Sequence, residues 1–333
     1  MHQVPQPQVR RGDAVRRTRR ADQALDTMIA EVRQGLGRRP LPELPCKYFY
    51  DERGCALFEE ITRLPEYYPA RTETGILAEH ADGIVEAVAP VEIVELGSGA
   101  CRKIRFFLDA VRYRGWLESI QLLEFSESAL ADSVARLQHD YPEARVRGVV
   151  GDFADDLEAL GPGGGRLVLF LAGTIGNLDP EALPAFFRKV AAVLEPEDAF
   201  LVGVDLVKDE ARLHAAYNDS QGVTAEFNRN ILRVLNARLG ADFDPWDFDH
   251  RAFYDPERQW IEMRLRARRS LEAHIPRAGT TLALQAGDEI RTELSCKYTR
   301  ETFAARLRGS GLELERWMTD PQGLFASVLL RRR

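Results

Sequence analysis

The chain has 333 residues, 45% of them hydrophobic, and a formal net charge of −7 at pH 7. That is enough apolar material for one large domain or two sharing a core. No run nears the roughly 18 apolar residues of a membrane span, so a soluble, unexported, cytoplasmic protein with no membrane contact is expected.

Residues 1–20 carry six arginines and one aspartate, about +5, which leaves about −12 for the remainder. A basic arm over 1–19 on an acidic body argues against a nucleic-acid partner and predicts a solvated or loosely docked extension. A mainly helical segment follows, with ADQALDTMIAEVRQGL (21–36) and ALFEEITRL (56–64). From Val91 short apolar runs alternate with amphipathic stretches: VEIVEL (91–96), IQLLEF (120–125), VRGVV (146–150), RLVLFLAG (166–173) and AFLVGVDL (199–206). Buried strands separated by helices predict an α/β fold with a doubly wound, mostly parallel sheet. One of the helices, SESALADSVARLQHDY (126–141), offers Ser126 as its cap. After Val207 the rhythm gives way to a helical stretch reaching about Leu239 and to strand-like segments over 259–275 and 280–285. It returns at Tyr298 with a helix and two strands joined by a Pro-Gln-Gly turn. The predicted sheet domain is therefore 69–207 plus 298–333, and a discontinuous, mixed α+β second domain takes 20–68 plus 208–297.

Four scattered cysteines, Cys46, Cys55, Cys101 and Cys296, contain no CxxC pair, and the six histidines lie apart. Neither a disulfide framework nor a metal site is suggested. The chemistry-bearing signal is VELGSG (94–99), a two-glycine turn at a strand end. Arg102 stands where a dinucleotide fingerprint needs its third glycine, and no P-loop motif is present. A turn preceded by Glu95 suits a ligand that presses an amino-acid portion and a ribose onto the backbone, as S-adenosylmethionine does. Two further acids fall at successive strand ends, where open α/β sheets bind ligands. Glu124 can take ribose hydroxyls; Asp152 can accept from an adenine amino group while Phe153 covers the ring. Lys103, on the following helix, can meet the ligand's carboxylate. Asn177 in LAGTIGNLDP projects from the loop after the fourth strand, where an amide can grip a carboxylate.

The stretches YFYDERGCALFEEITRLPEYYPARTE, VELGSG, GDF, GTIGNL, DLVKD, AAYNDSQGVTAEFNRN, IEMRLRAR and TELSCKY, in this order, resemble the L-histidine Nα-methyltransferases of ergothioneine biosynthesis. The resemblance runs from about Leu44 almost to Arg333. It implies a class I methyltransferase-like sheet domain with an added substrate domain, and trimethylation of histidine to hercynine at the expense of S-adenosyl-L-methionine. Carried over by position, Gly97, Lys103, Glu124, Asp152 and Phe153 are implied to meet the cofactor. Asn177 and Tyr217 are implied to hold the substrate carboxylate, Glu293 and Ser295 the imidazole, and Met263 to line the pocket. Tyr50 near the α-amine, Tyr67 against the substrate and Asn177 form the implied catalytic set. The implied partner is L-histidine, acted on by a monomer. Two departures stand out: Ala172-Gly173 precedes TIGN where the family usually has Gly-Ser, and Glu124 replaces a common Asp.

Methyl transfer to nitrogen is an in-line displacement that needs an aligned free amine and no metal or nucleophilic side chain. Two rivals remain at this point. One is an Nα-methyltransferase for another amino acid such as tryptophan, which Glu293 disfavours because an indole offers a single N–H. The other is a non-catalytic subunit of the same fold.

Overall fold

A computed structural model describes residues 14–333. Residues 1–13 of the expected basic arm lie outside the described residues. Of the two states expected for that arm, the rest of it takes the docked one: Val15–Arg17 form strand β1, followed by the short helix α1 (Arg19–Asp22). A three-residue charged strand shows no side-chain periodicity. What holds it is backbone pairing, with Val15 to Arg17 running parallel to Gly148 to Val150.

Helices α2 (Ala24–Leu36), α3 (Glu52–Ile61) and α4 (Tyr68–Val88) lead to β2 (Glu92–Leu96). The sheet then grows through α5 (Ile104–Tyr113), β3 (Ser119–Glu124), α6 (Glu127–Asp140), β4 (Arg145–Val150), β5 (Arg166–Phe170), α7 (Leu183–Val193) and β6 (Ala199–Asp205). Every residue of β2, β5 and β6 is buried, as strands covered by helices on both faces must be. α5 shows how the covering works: Ile104, Phe107, Leu108 and Val111 recur at helical spacing and all are buried. Ser126 does occupy the cap position of α6, but its side chain makes no capping bond to the helix.

Helices α8 (Glu210–Tyr217) and α9 (Val223–Leu239) and strands β7 (Phe248–Asp255), β8 (Trp260–Ala267), β9 (Leu271–Ile275), β10 (Thr280–Leu284) and β11 (Glu289–Cys296) leave the sheet. The chain rejoins it through α10 (Arg300–Arg306), β12 (Leu312–Thr319) and β13 (Phe325–Arg332). The eight-stranded sheet has the order β1-β4-β3-β2-β5-β6-β13-β12, with β13 antiparallel to both its neighbours, β6 and β12. Two apolar clusters cover its two faces. A third joins Met28 through Tyr68 to Leu213 through Ile290, around α9 and the small sheet β11-β8-β7. The departing and returning chains touch at one place, where Val207 N–H bonds Tyr298 C=O and Tyr298 N–H bonds Asp205 C=O, each at 3.0 Å.

Candidate active site

The C-terminal ends of β4, β3 and β2 are neighbours in the sheet, which brings Asp152, Glu124 and the glycine turn to one edge. Gly97 and Gly99 have φ of 68° and 46°, the left-handed region where only glycine is unstrained. Glu124 accepts the N–H groups of Gly99 and Ser126, both at 3.0 Å, so its carboxylate is fixed at the mouth of the turn. Burial pushes its pKa up, against those backbone bonds. Phe153 packs on Phe170, ring centroids 4.9 Å apart, and its edge would lie 3.7 Å from a Cβ at Gly97. Beside the turn, Ser98 Oγ and Glu95 Oε2 are buried without a hydrogen-bond partner. Such atoms need polar company. The set therefore suits a ligand with hydroxyls and a charged amino-acid end, as S-adenosylmethionine has.

Two cofactor candidates have partners that the sequence reading did not foresee. Asp152 takes an ion pair from Lys47 at 2.9 Å and the Ala154 N–H at 2.9 Å, and Lys47 also reaches Glu31 at 2.8 Å. Lys103 is ion-paired to Glu73, which is fully buried in α4. Glu73 also accepts the Ala172 N–H at 2.9 Å, tying the start of α5 to the loop after β5. Gly203 makes room for it, since a Cβ there would stand 2.1 Å from Glu73 Oε1. The signal for Glu73 was present in the sequence: it shares a helical face with Pro69, Ile76 and Leu77, all buried, and a charge on an apolar face implies a buried partner.

Next to this edge lies a cavity lined by all seven substrate candidates: Tyr50, Tyr67, Asn177, Tyr217, Met263, Glu293 and Ser295. Its aromatic wall is continuous, with Tyr50 against Phe58 at 5.8 Å, Phe58 against Tyr67 at 6.3 Å and Tyr67 against Tyr217 at 6.4 Å between centroids. Tyr50 also borders a second cleft of about 930 Å³ that contains Lys47, Phe125 and Asp152. It stands between the cavity and the cofactor edge.

Strand β11 supplies the polar end. Glu293 and Ser295 share one face of it, and Met263 pairs with Glu293 from β8. Burial lifts the Glu293 carboxyl to a pKa of about 7, with the Lys297 charge and a bond from the Asn177 amide pulling the other way. Asn177 donates to Leu294 C=O at 2.9 Å, so the loop after β5 is pinned to β11 and the amide sits beside Glu293. The Tyr217 hydroxyl donates to Ser295 Oγ at 2.7 Å.

Behind these residues is a buried cluster drawn from DLVKD and TELSCKY, whose lysines and Asp205 carry no role in the motif pattern. Lys297 donates to Ser295 Oγ at 2.7 Å and Tyr217 OH at 3.0 Å, and pairs with Asp205 at 2.9 Å. Asp205, which also lines the cavity, accepts from Tyr68 OH at 2.8 Å and Lys208 at 2.5 Å. Burial raises the Asp205 carboxyl, but the two lysines overcome it and hold the pKa below the ordinary value. Burial likewise opposes the Lys297 charge, and Asp205 and Tyr217 outweigh it.

A sequence profile described as histidine-specific methyltransferase, SAM-dependent, matches residues 28–332. The chain is 42% identical over 312 residues to a histidine N-alpha-methyltransferase of Mycolicibacterium smegmatis, covering 94% of this chain and 97% of that protein. It is 42% identical over 299 residues to one of Mycobacterium tuberculosis, covering 90% and 93%. It is also 31% identical over 290 residues to ergothioneine biosynthesis protein 1 of Neurospora crassa, covering 81% of this chain and 31% of that longer protein. With glycine turn, acidic strand ends and aromatic cavity in place and the profile spanning almost every described residue, the chain belongs to the histidine-specific, SAM-dependent methyltransferase family.

Proposed function

We propose that this protein trimethylates the α-amine of L-histidine to hercynine, a step of ergothioneine biosynthesis. The observation that carries the reading is the pairing of Glu293 and Ser295 on one face of β11 within a cavity walled by tyrosines. A neutral imidazole has one N–H and one bare nitrogen, and a carboxylate beside a hydroxyl can satisfy both. An indole would leave one of them unpaired in a dry site, at a cost of about 1–3 kcal/mol. The tryptophan rival is weaker for that reason, and the intact cofactor edge counts against a non-catalytic subunit.

S-adenosyl-L-methionine, when bound, supplies an electrophilic methyl group on sulfur. The residues suited to hold it are Gly97, Lys103, Glu124, Asp152 and Phe153. Everything else is positioning by this chain. Glu293 and Ser295 fix the ring, with Met263 filling the wall beside Glu293; Asn177 and Tyr217 take the carboxylate. The amine is thereby directed toward Tyr50 and Tyr67, on the side facing the cofactor edge. Their hydroxyls orient its lone pair, and their faces accept the growing cationic methylammonium, a gain of about 0.5–2 kcal/mol. Each proton leaves to water.

The test is incubation with S-adenosylmethionine and each of the twenty amino acids, followed by mass spectrometry. Histidine gaining up to three methyl groups, with other amino acids unchanged, is the expected result. Preferential methylation of another amino acid, or none, would overturn it. Calorimetry with S-adenosylhomocysteine and histidine separates an inactive subunit, which should bind neither.

A further inference from the structure

We propose that Lys297 is a positioning residue for substrate specificity: by donating to both Tyr217 and Ser295 it takes up a lone pair on each oxygen, so that the Ser295 hydroxyl is left to present its proton to the ligand. The proposal rests on the reading above, in which the substrate ring faces Glu293 and Ser295.

The Lys297 side chain is wholly buried, with no exposed surface. An ammonium carries three protons and no lone pair. The three partners are Asp205 at 2.9 Å, Tyr217 OH at 3.0 Å and Ser295 Oγ at 2.7 Å, so no proton remains for a ligand. Both hydroxyl oxygens must therefore accept from Lys297, and each keeps its own proton. Tyr217 directs its proton to Ser295 at 2.7 Å. Ser295 Oγ then receives two donors, and its own proton is left for the cavity that both residues line. Where a ligand carboxylate draws the Tyr217 proton outward, Lys297 still occupies the in-plane lone pair of the phenol oxygen, so Ser295 finds no acceptor there and its proton stays with the cavity. Asp205, held by Tyr68 and Lys208, supplies the counter-charge that keeps Lys297 protonated in so dry a place.

The consequence is a polarity code. Glu293 can only accept when ionised, and Ser295 is compelled to donate. A ring with one N–H and one bare nitrogen satisfies both; a pyrrole has no acceptor for Ser295. Without Lys297, an oxygen lone pair on Tyr217 opens, Ser295 can donate to it, and the missing ring acceptor no longer matters.

The probes are L-histidine, L-3-(pyrrol-2-yl)alanine and its pyrrol-3-yl isomer. Each pyrrole keeps one ring N–H and replaces the other nitrogen by C–H. Affinities are measured by calorimetry with S-adenosylhomocysteine present, for wild type, Lys297→Met and Lys297→Gln. Wild type should bind histidine roughly 10- to 100-fold more tightly than the better pyrrole, the penalty for a stranded hydroxyl donor. In the lysine variants that ratio should shrink to within about threefold while the affinity for S-adenosylhomocysteine is retained. In Ser295→Ala the ratio should be equally small, and adding Lys297→Met should change it no further. Equal weakening of histidine and pyrrole in the lysine variants, with the ratio preserved, would overturn the proposal and leave Lys297 as a fold residue. Should Lys297→Met not fold, Lys297→Gln decides, because its amide, although one atom shorter, is polar and can bond Asp205. A wild-type ratio near one would instead defeat the prior reading that the ring meets Ser295.

Discussion

Glu293 stands opposite Met263 across β11 and β8, one residue beyond a bulge at which Thr292 has no partner in the ladder. Since side chains alternate along a strand, that extra residue decides which face Glu293 takes. Replacing Glu293 by Ala removes a charge-assisted bond in a dry pocket. Histidine affinity should fall by about 2–4 kcal/mol, roughly 30- to 1000-fold. The affinity for S-adenosylhomocysteine should hardly change, because the cofactor edge belongs to β2, β3 and β4. Calorimetry with both ligands checks the contrast; equal losses would mark the glutamate as structural.

The bulge itself can be tested. The Thr292 hydroxyl directs its one proton to Asn228 Oδ1 at 2.6 Å, with Met263 C=O a second acceptor within reach at 3.1 Å, and Asn228 is fully buried. Thr292→Val keeps the shape and strands an amide oxygen, so stability should drop by about 1–3 kcal/mol in denaturant titration. Histidine affinity should weaken with it, through the loosened register of Glu293.

For pH, the sign follows from direction. Burial raises Glu293 from 4.5 to about 7, so the acceptor for a ring N–H appears only as pH climbs through neutrality. The α-amine also attacks only when neutral. Both effects point the same way, and kcat/KM for histidine should rise from pH 6 to 8.5. In Glu293→Gln the component near pH 7 should vanish, leaving a lower but simpler profile. For the protein without histidine the same raised pKa stabilises the fold at low pH, and that contribution is lost as pH rises through about 7.

Lys103 and Glu73 should behave as a unit. Lys103→Met leaves a wholly buried carboxylate with only the Ala172 N–H, which should cost about 3–5 kcal/mol and several degrees in Tm. The double variant Glu73→Gln with Lys103→Met should regain most of the stability. Cofactor affinity should stay low in both if Lys103 meets the ligand carboxylate, and thermal melts paired with calorimetry separate the two effects.

Glu124→Ala and Asp152→Ala should each weaken S-adenosylmethionine binding by about 1–3 kcal/mol. The Asp152 variant should be the less stable, because it leaves Lys47 with Glu31 alone. Unchanged cofactor affinity in both variants would remove them from the site.

The alternation of apolar runs made β2 to β6 legible, because strands buried on both faces need nothing but apolar residues. β1 was not, since a partner strand and not its own side chains makes Val15–Arg17 a strand. The seven residues around the cavity were named through the motif resemblance and converge in space, yet residue spacing alone could not have joined Tyr50 to Glu293. Long-range partners were the blind spot. Glu73 with Lys103 and Asp205 with Lys297 are paired across the fold, and pairing of this kind leaves no local pattern. Each does leave a trace in being a charge amid buried neighbours, such as Lys297 between Cys296 and Tyr298.

The strand order also bears on synthesis. β13 lies inside the sheet, between β6 and β12, and pairs Phe325 with Asp205. As the polypeptide leaves the ribosome, β6 is complete while its neighbour is still untranslated, and all of α8 to β11 must emerge first. Through that interval a strand that is apolar up to its last residue, Asp205, shows an open edge, the condition under which nascent chains aggregate or recruit chaperones. The contact of Tyr298 with Asp205 and Val207 gathers the ends of this excursion, so the loop that β13 must close is far shorter in space than in sequence. Slow translation just before codon 298 would give the excursion time to fold before the clasp residue and the strand that closes the sheet are made. Clusters of rare codons there should raise the soluble yield, and the same clusters placed within β13 should not.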